Sequence, residues 1–209
     1  MTGLRLNRWH HPVTVLGHGV RAGIWVQGCT IGCHGCASRD TWDPAGGEQA
    51  EVLPWLASLP EPLDGLTVSG GEPFQQARAL GSLLSAVSAW RGERAFDVLV
   101  FSGYPFERLR DEHASVLAHC DAVVAGPYVE RRNTGAALRG SDNQRIVTLT
   151  SLGERRYGGL EASSAPAMQV LSTGDSIRLI GIPRRGDLDR LRAGLAARGV
   201  AAEAVTWLG

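Results

Sequence analysis

Lysine is absent from the chain, and all 21 basic residues are arginine. A GC-rich coding bias accounts for that as composition, but one chemical consequence is firm. Neither a lysine Schiff base nor a lysine general base is available. An excess of one charge is missing too: 21 acidic residues balance the arginines at a formal net charge of zero. With no basic block, nucleic acid is not an expected partner. No apolar run approaches the roughly 20 residues that a membrane span needs, so no membrane partner is expected. Met1 to Pro12 holds arginines but no apolar segment of the kind a secretory signal requires. Cysteine is scarce: four thiols cannot staple a chain of 209 residues. Such usage points to metal or catalytic work in a reducing cytoplasm.

What is present is an ordinary globular composition, 44% hydrophobic and 20% charged. The length suits one domain, or one domain with an appendage, and is enough to bury a core. Three of the four cysteines cluster in Gly28-Cys29-Thr30-Ile31-Gly32-Cys33-His34-Gly35-Cys36, at C-x3-C-x2-C spacing. They follow the apolar run Ala22-Gly23-Ile24-Trp25-Val26 directly. Thiolate is the usual protein ligand of iron–sulfur clusters, and a [4Fe–4S] cube normally takes four. A loop offering three leaves one iron open to a small molecule.

Structural zinc is the rival, and with it a non-catalytic zinc or electron-transfer protein. Zinc needs four ligands in a closed tetrahedral site. The fourth would be His34, His18 or Cys120, and none stands at a zinc-knuckle or zinc-ribbon spacing. Cys120 ends a helical pattern beside a buried strand and reads as a core thiol. His18 reads as a surface turn residue.

The order of elements is that of an α/β protein. Val13 to Leu16 and Ile24 to Val26 are strand candidates, and residues 48–59 form a helix candidate. Gly65-Leu66-Thr67-Val68 is a short strand that runs into Ser69-Gly70-Gly71-Glu72. Residues 75–90 keep a helical rhythm, Asp97 to Phe101 is the next strand, and 106–119 the next helix. Residues 121–125 make another strand ending at Gly126. Strand, glycine-marked loop, helix and strand thus alternate, which predicts a parallel sheet with helices outside it. Residues 131–143 read as a long functional loop. Ile146 to Leu149 is a strand candidate, and 151–166 a mobile connection. Ser176 to Ile180 reads as a strand, Asp187 to Arg198 as a helix stopped by Gly199, and Val200 to Leu208 as a returning strand.

A strand ending in two glycines lets backbone approach a ligand closely. A carboxylate beside them can hold an ammonium group by a charge-assisted hydrogen bond. Joined to an open cluster iron, Ser69, Gly70, Gly71 and Glu72 therefore suit S-adenosylmethionine, whose amine and carboxylate chelate iron. C-x3-C-x2-C followed by a strand-borne Gly-Gly-Glu resembles the radical S-adenosylmethionine superfamily. The match narrows with Val20-Arg21 through Thr41-Trp42 and with Gly35 before the last cysteine, where many members carry an aromatic residue. Ser102-Gly103-Tyr104, Gly126-Pro127-Tyr128 and Arg139 through Ile146 add to it. Together they resemble the activating proteins of anaerobic (class III) ribonucleotide reductase over residues 11–148.

That resemblance implies a partial, incomplete parallel β/α barrel over 1–150; residues 151–209 lie outside it and read from their own pattern as a βαβ-like C-terminal extension, packed on the core or completing it. It implies a [4Fe–4S] cluster on Cys29, Cys33 and Cys36, and S-adenosylmethionine as second cofactor. Ser69, Gly70, Gly71 and Glu72 would meet its methionine end. Ser102 would contact the ribose or carboxylate, with Arg139 and Asn143 in the late loop. One-electron reduction would cleave S-adenosylmethionine to methionine and a 5′-deoxyadenosyl radical, which takes a hydrogen atom from a backbone glycine of a glycyl-radical enzyme partner. A flavodoxin- or ferredoxin-type protein would donate the electron. The alternative within the superfamily is direct action on a small molecule or peptide, as in the similar 7-carboxy-7-deazaguanine synthases.

Overall fold

The computed structural model describes residues 3–160, 168–173, 176–201 and 205–208. Seven strands form one sheet: β1 (Leu4–Val13), β2 (Arg21–Val26), β3 (Glu48–Ala50), β4 (Gly65–Gly70), β5 (Asp97–Ser102), β6 (Ala122–Ala125) and β7 (Arg145–Thr148). Their spatial order is β3-β1-β2-β4-β5-β6-β7. The parallel alternation holds for the centre, where β2, β4, β5 and β6 run side by side in parallel. The flanks differ: β1 pairs antiparallel with β2 and β3, and β7 with β6. The sheet is therefore mixed, because antiparallel edge strands need only one covered face.

Side chains alternate across the strands with period two. Ile24 and Val26, Leu66 and Val68, Val98 and Val100, and Val123 and Ala125 share one face. Four helices bury it: α1 (Val52–Ala57), α2 (Ala77–Arg91), α3 (Phe106–Glu112) and α4 (Ala114–Leu117). Leu56, Leu80, Leu84 and Leu109 have no exposed surface there. The other face, with Trp25, Leu99, Phe101 and Val124, is covered by α5 (Ser151–Tyr157) and by a hairpin of β8 (Met168–Thr173) and β9 (Ser176–Gly181).

Several boundaries differ from the sequence-based expectation. The first strand begins at Leu4, with Leu4 and Leu6 buried between polar neighbours. Residues 48–59 divide into β3 and α1, and the helix expected over 106–119 breaks at His113. The connection expected to be mobile opens with α5, which Thr150 caps by accepting the Gly153 N–H at 3.1 Å; its part at 161–166 lies outside the described residues. The βαβ expectation for the C-terminus is replaced by a hairpin followed by α6 (Asp187–Ala196). β9 finds its partner in β8, next to it in sequence, so no helical crossover is needed. Among the described residues of 200–208 there is no strand, and no helix among the described residues is long and apolar enough to cross a membrane.

At the N-terminal ends of the parallel strands lies a buried ionic cluster. Arg21, opening β2, has no exposed surface. Its guanidinium donates to both oxygens of Asp97 on β5, at 2.8 and 2.9 Å, and to Thr67 Oγ1 on β4 at 2.7 Å. From α5, Arg156 and Tyr157 donate to the same carboxylate, Tyr157 at 2.7 Å. Burial pushes the Asp97 carboxyl up, but Arg21 and these donors outweigh it and hold it below its ordinary range.

Candidate functional site

The parallel strands deliver their C-terminal ends to one cavity, as open α/β sheets do. The cysteine loop follows β2, Ser69 to Glu72 close β4, Ser102 ends β5 with Gly103 after it, and Gly126 follows β6; residues from each of these line the cavity. Backbone hydrogen bonds root the cysteine loop. Gly28 N–H donates to the Thr41 carbonyl at 2.7 Å and Cys29 N–H to the Trp42 carbonyl at 3.1 Å. Gln75 reaches the loop as well, donating to Thr30 Oγ1 at 2.7 Å.

Cys29, Cys33 and Cys36 stand half-buried along this cavity. Burial pushes the Cys29 thiol up, opposed by amides of Ile31 and Gly32 that stabilise its thiolate. Cys33 is pushed up in the same way, opposed by the Tyr128 amide. Ser38 N–H lies 3.4 Å from Cys36 Sγ. Such amide donors offset negative charge on a ligating sulfur. Cys120 takes no part: it is buried in the helix-side core, its Sγ donates to the Val116 carbonyl at 3.5 Å, and burial pushes its thiol up to about 12.

Among the described residues, no three His, Cys, Asp or Glu side chains converge as a single metal ion requires. A closed zinc site needs its donors to meet at one point, whereas a cube takes each thiolate on a different iron. Three thiols spread along one cavity, with the fourth sequestered in the core, suit a cluster with three protein ligands.

The Gly-Gly-Glu segment does more than face a ligand. Gly70 has φ +102°, and a Cβ there would lie 2.5 Å from the Val26 nitrogen. A Cβ on Gly71 would lie 2.3 Å from the Gly28 carbonyl oxygen. The two glycines thus let the end of β4 press against the root of the cysteine loop, where Gly71 N–H donates to Val26 and Glu72 N–H to Gly28. Gly71→Ala is expected to cost about 1–3 kcal/mol by overpacking and to lower the iron bound per chain; a thermal melt and an iron assay measure both.

Glu72 is 1% exposed. Its Oε1 accepts from Phe74 N–H at 3.0 Å and Ser102 Oγ at 2.8 Å, and its Oε2 from Gly103 N–H at 2.7 Å. Burial pushes this carboxyl up, and those three donors counter it. Glu72 therefore ties the loop after β4 to the loop after β5. Ser102 spends its hydroxyl on that bond and accepts the Tyr104 N–H at 3.1 Å.

The structure does not bring Arg139 and Asn143 to the cavity wall. Arg139 donates to the Gln144 carbonyl at 3.5 Å, and Asn143 to the Pro127 carbonyl at 2.7 Å, so both brace the late loop. Gly140 and Gln144 of that loop line the cavity instead. Gln144 Oε1 accepts from Gly140 N–H at 2.7 Å, and its Nε2 donates to Gly126 at 2.9 Å. His34 pairs with Glu130 at 2.9 Å on the surface, and Gly35 packs against the same carboxylate. His18 is exposed, and its carbonyl accepts from Arg21 at the far end of the sheet. Ile31, Trp42, Tyr128, Ile182 and Pro183 also line the cavity. Nothing in their residue type marks apolar or aromatic side chains as site rather than core, and Ile182 and Pro183 lie beyond every motif.

Comparison with known proteins places this geometry. The family model of the 4Fe-4S single cluster domain matches residues 15–147. The anaerobic ribonucleoside-triphosphate reductase-activating protein of Enterobacteria phage T4 is 33% identical over 142 residues, covering 65% of this chain and 88% of that protein. The protein of the same name from Haemophilus influenzae is 28% identical over 146 residues, covering 66% and 94%. Pyruvate formate-lyase 1-activating enzyme of Escherichia coli is 35% identical over 80 residues, covering 35% of this chain and 32% of the relative. Three thiols on a cavity at the parallel-strand ends and a matching family model lead to one conclusion: the chain belongs to the radical S-adenosylmethionine family of 4Fe–4S single-cluster proteins, in the branch of the anaerobic ribonucleoside-triphosphate reductase-activating proteins.

Proposed function

We propose that this protein is an activating enzyme that generates a glycyl radical on a partner enzyme of the anaerobic ribonucleotide reductase type, using S-adenosylmethionine. The observation that carries the proposal is the meeting of Cys29, Cys33 and Cys36 with the Ser69–Glu72 strand end in one cavity. Likeness to the activating proteins of phage T4 and Haemophilus influenzae supports the choice of partner.

When bound, a [4Fe–4S] cluster supplies the electron for reductive cleavage of S-adenosylmethionine to methionine and a 5′-deoxyadenosyl radical. The rest is the work of the chain. Cys29, Cys33 and Cys36 would hold the cluster, with the Ile31, Gly32 and Tyr128 amides favouring the thiolate form. Ser69, Gly70 and Gly71 would present backbone to the methionine end. Glu72 would fix that turn against Ser102 and Gly103, so that Ser102 orients the site through the carboxylate. Arg139 and Asn143 would keep the late loop in shape. Ile31 and Phe101 add apolar surface to the cavity, which keeps water from a reactive intermediate.

The central parallel strands and their shared open end support the partial β/α barrel as the working architecture, with 1–150 as core and 151–209 as an extension packed on it. A flavodoxin- or ferredoxin-type protein of the cytoplasm is the proposed electron donor. Anaerobic reconstitution with iron and sulfide tests the proposal. The reduced protein is expected to form 5′-deoxyadenosine, and a glycyl-radical partner to show an electron paramagnetic resonance signal. Failure to take up a cluster, or to form 5′-deoxyadenosine, would refute it.

A further inference from the structure

The family match ends at residue 147, but the cavity wall does not. Gly181, Ile182 and Pro183, which lead away from β9, line the cavity together with the three thiols. This segment is fixed at both ends. On the β1 side, Gln169 of β8 accepts the Thr14 N–H at 3.2 Å and donates to the Pro12 carbonyl at 2.9 Å. Ile180 is buried against Val13, Leu16 and Trp25, and Ile182 and Phe101 pack against the same cluster. On the side of the late loop, Asn133 Nδ2 donates to the Pro183 carbonyl at 3.0 Å. Gly135 lies so near Arg184 that a Cβ there would be 2.7 Å from Nε.

β1 and the late loop after β6 lie on opposite sides of the four parallel strands. A segment anchored to both crosses the open face of the sheet. We propose that residues 168–173 and 176–184 form a fixed side wall of the reaction cavity, and that Ile182 and Pro183 determine specificity by setting the width through which the radical-accepting segment enters. The inference rests on the activating role proposed above. Ile182 would act by shape alone, as apolar pocket walls discriminate among substrates by single methylene groups.

Two measurements on the full-length chain test it, with Ile182→Ala, Ile182→Trp and Ile182→Val. In the metal-free protein, alkylation of Cys29, Cys33 and Cys36 by a bulky maleimide is compared with alkylation by iodoacetamide, with buried Cys120 as internal reference. The bulky-to-small rate ratio is expected to rise in Ile182→Ala and to fall in Ile182→Trp, each by about tenfold, with Ile182→Val near wild type. In the reconstituted protein with its partner, Ile182→Trp is expected to raise the 5′-deoxyadenosine formed per glycyl radical by about tenfold, because cleavage no longer couples to transfer.

Equal alkylation ratios in all three variants would overturn the wall. A coupling ratio fixed at the wild-type value, with both products falling together, would overturn the specificity role and leave Ile182 a support for the fold. A wild-type protein that forms no 5′-deoxyadenosine would refute the activating role instead, while the alkylation ratios still decide the wall.

Discussion

Cys33→Ala, like Cys29→Ala and Cys36→Ala, is expected to retain no stable cluster after anaerobic reconstitution, and its 5′-deoxyadenosine formation is expected to fall to that of a protein-free control. The cavity offers three thiols, and each would hold a separate iron. Removing one leaves two irons without a protein ligand. The remaining cysteine cannot substitute, because Cys120 lies in the helix-side core with its thiol pushed up to about 12. Cys120→Ala is the matching control: it is expected to keep a full complement of iron and to lose only packing. Iron and sulfide per chain, with the visible absorbance of the cluster, measure the difference. Full iron content in Cys33→Ala would refute the assignment of the ligands.

Asp97→Ala is expected to lower stability by about 3–5 kcal/mol, because removing one partner of a buried ion pair strands the other. Arg21 has no exposed surface and directs two of its donors at that carboxylate. Tyr157 loses this acceptor in the same stroke, and Arg156 keeps the Asp64 and Ala95 carbonyls. For a chain of this size the cost corresponds to a fall in melting temperature of roughly 6–20 °C. Exchanging both partners, Arg21→Met with Asp97→Leu, is expected to cost less than Asp97→Ala alone, since an apolar pair leaves no uncompensated charge.

The same pair predicts the acid limb of stability. The Asp97 carboxyl titrates below its ordinary value of 3.8 in the folded protein, with burial opposing the shift and Arg21 and the hydrogen bonds producing it. Its contribution is therefore complete above that value and is lost as pH falls through the lower, folded value. Glu72 has the opposite sign: burial raises it above its ordinary 4.5, so its ionisation costs stability as pH rises through that region. Urea melts between pH 3 and 7 on wild type and Asp97→Ala separate the two, since only the variant lacks the loss at the acid end.

The cysteine half of the candidate site was legible in the sequence because its signal is chemical. Three thiols at short spacing after a strand have few structural reasons to exist, and the fold places them along one cavity. The central strands were legible too, because a strand buried on both faces is an unbroken apolar run, as in Leu99-Val100-Phe101. β1 was harder to read, since an antiparallel flanking strand such as Leu4–Val13 buries only some of its residues among arginines, histidines and an asparagine. The roles of the polar residues were the least legible. Glu72 and Ser102 lie in recognisable motifs, but whether a carboxylate serves a ligand or a neighbouring loop depends on where the next strand ends. Asn143 stands next to Gln144, and Arg139 lies in the same loop, yet only the loop's conformation decides that Gln144 faces the cavity. The hairpin went unread because Met168–Thr173 alternates too weakly to announce a strand before its partner is known.

The clasp of Arg156 and Tyr157 on Asp97 bears on where the chain can be cut. A truncation at residue 147, where the family-model match ends, would spare all three thiols. It would also remove two donors from a carboxylate at the foot of β5 and strip the cover from Leu99, Ala122 and Val124. The smallest portable version of this protein therefore keeps α5, and with it the cavity-lining segment that runs to Pro183, so grafts or swaps of the C-terminal segment belong beyond Arg184.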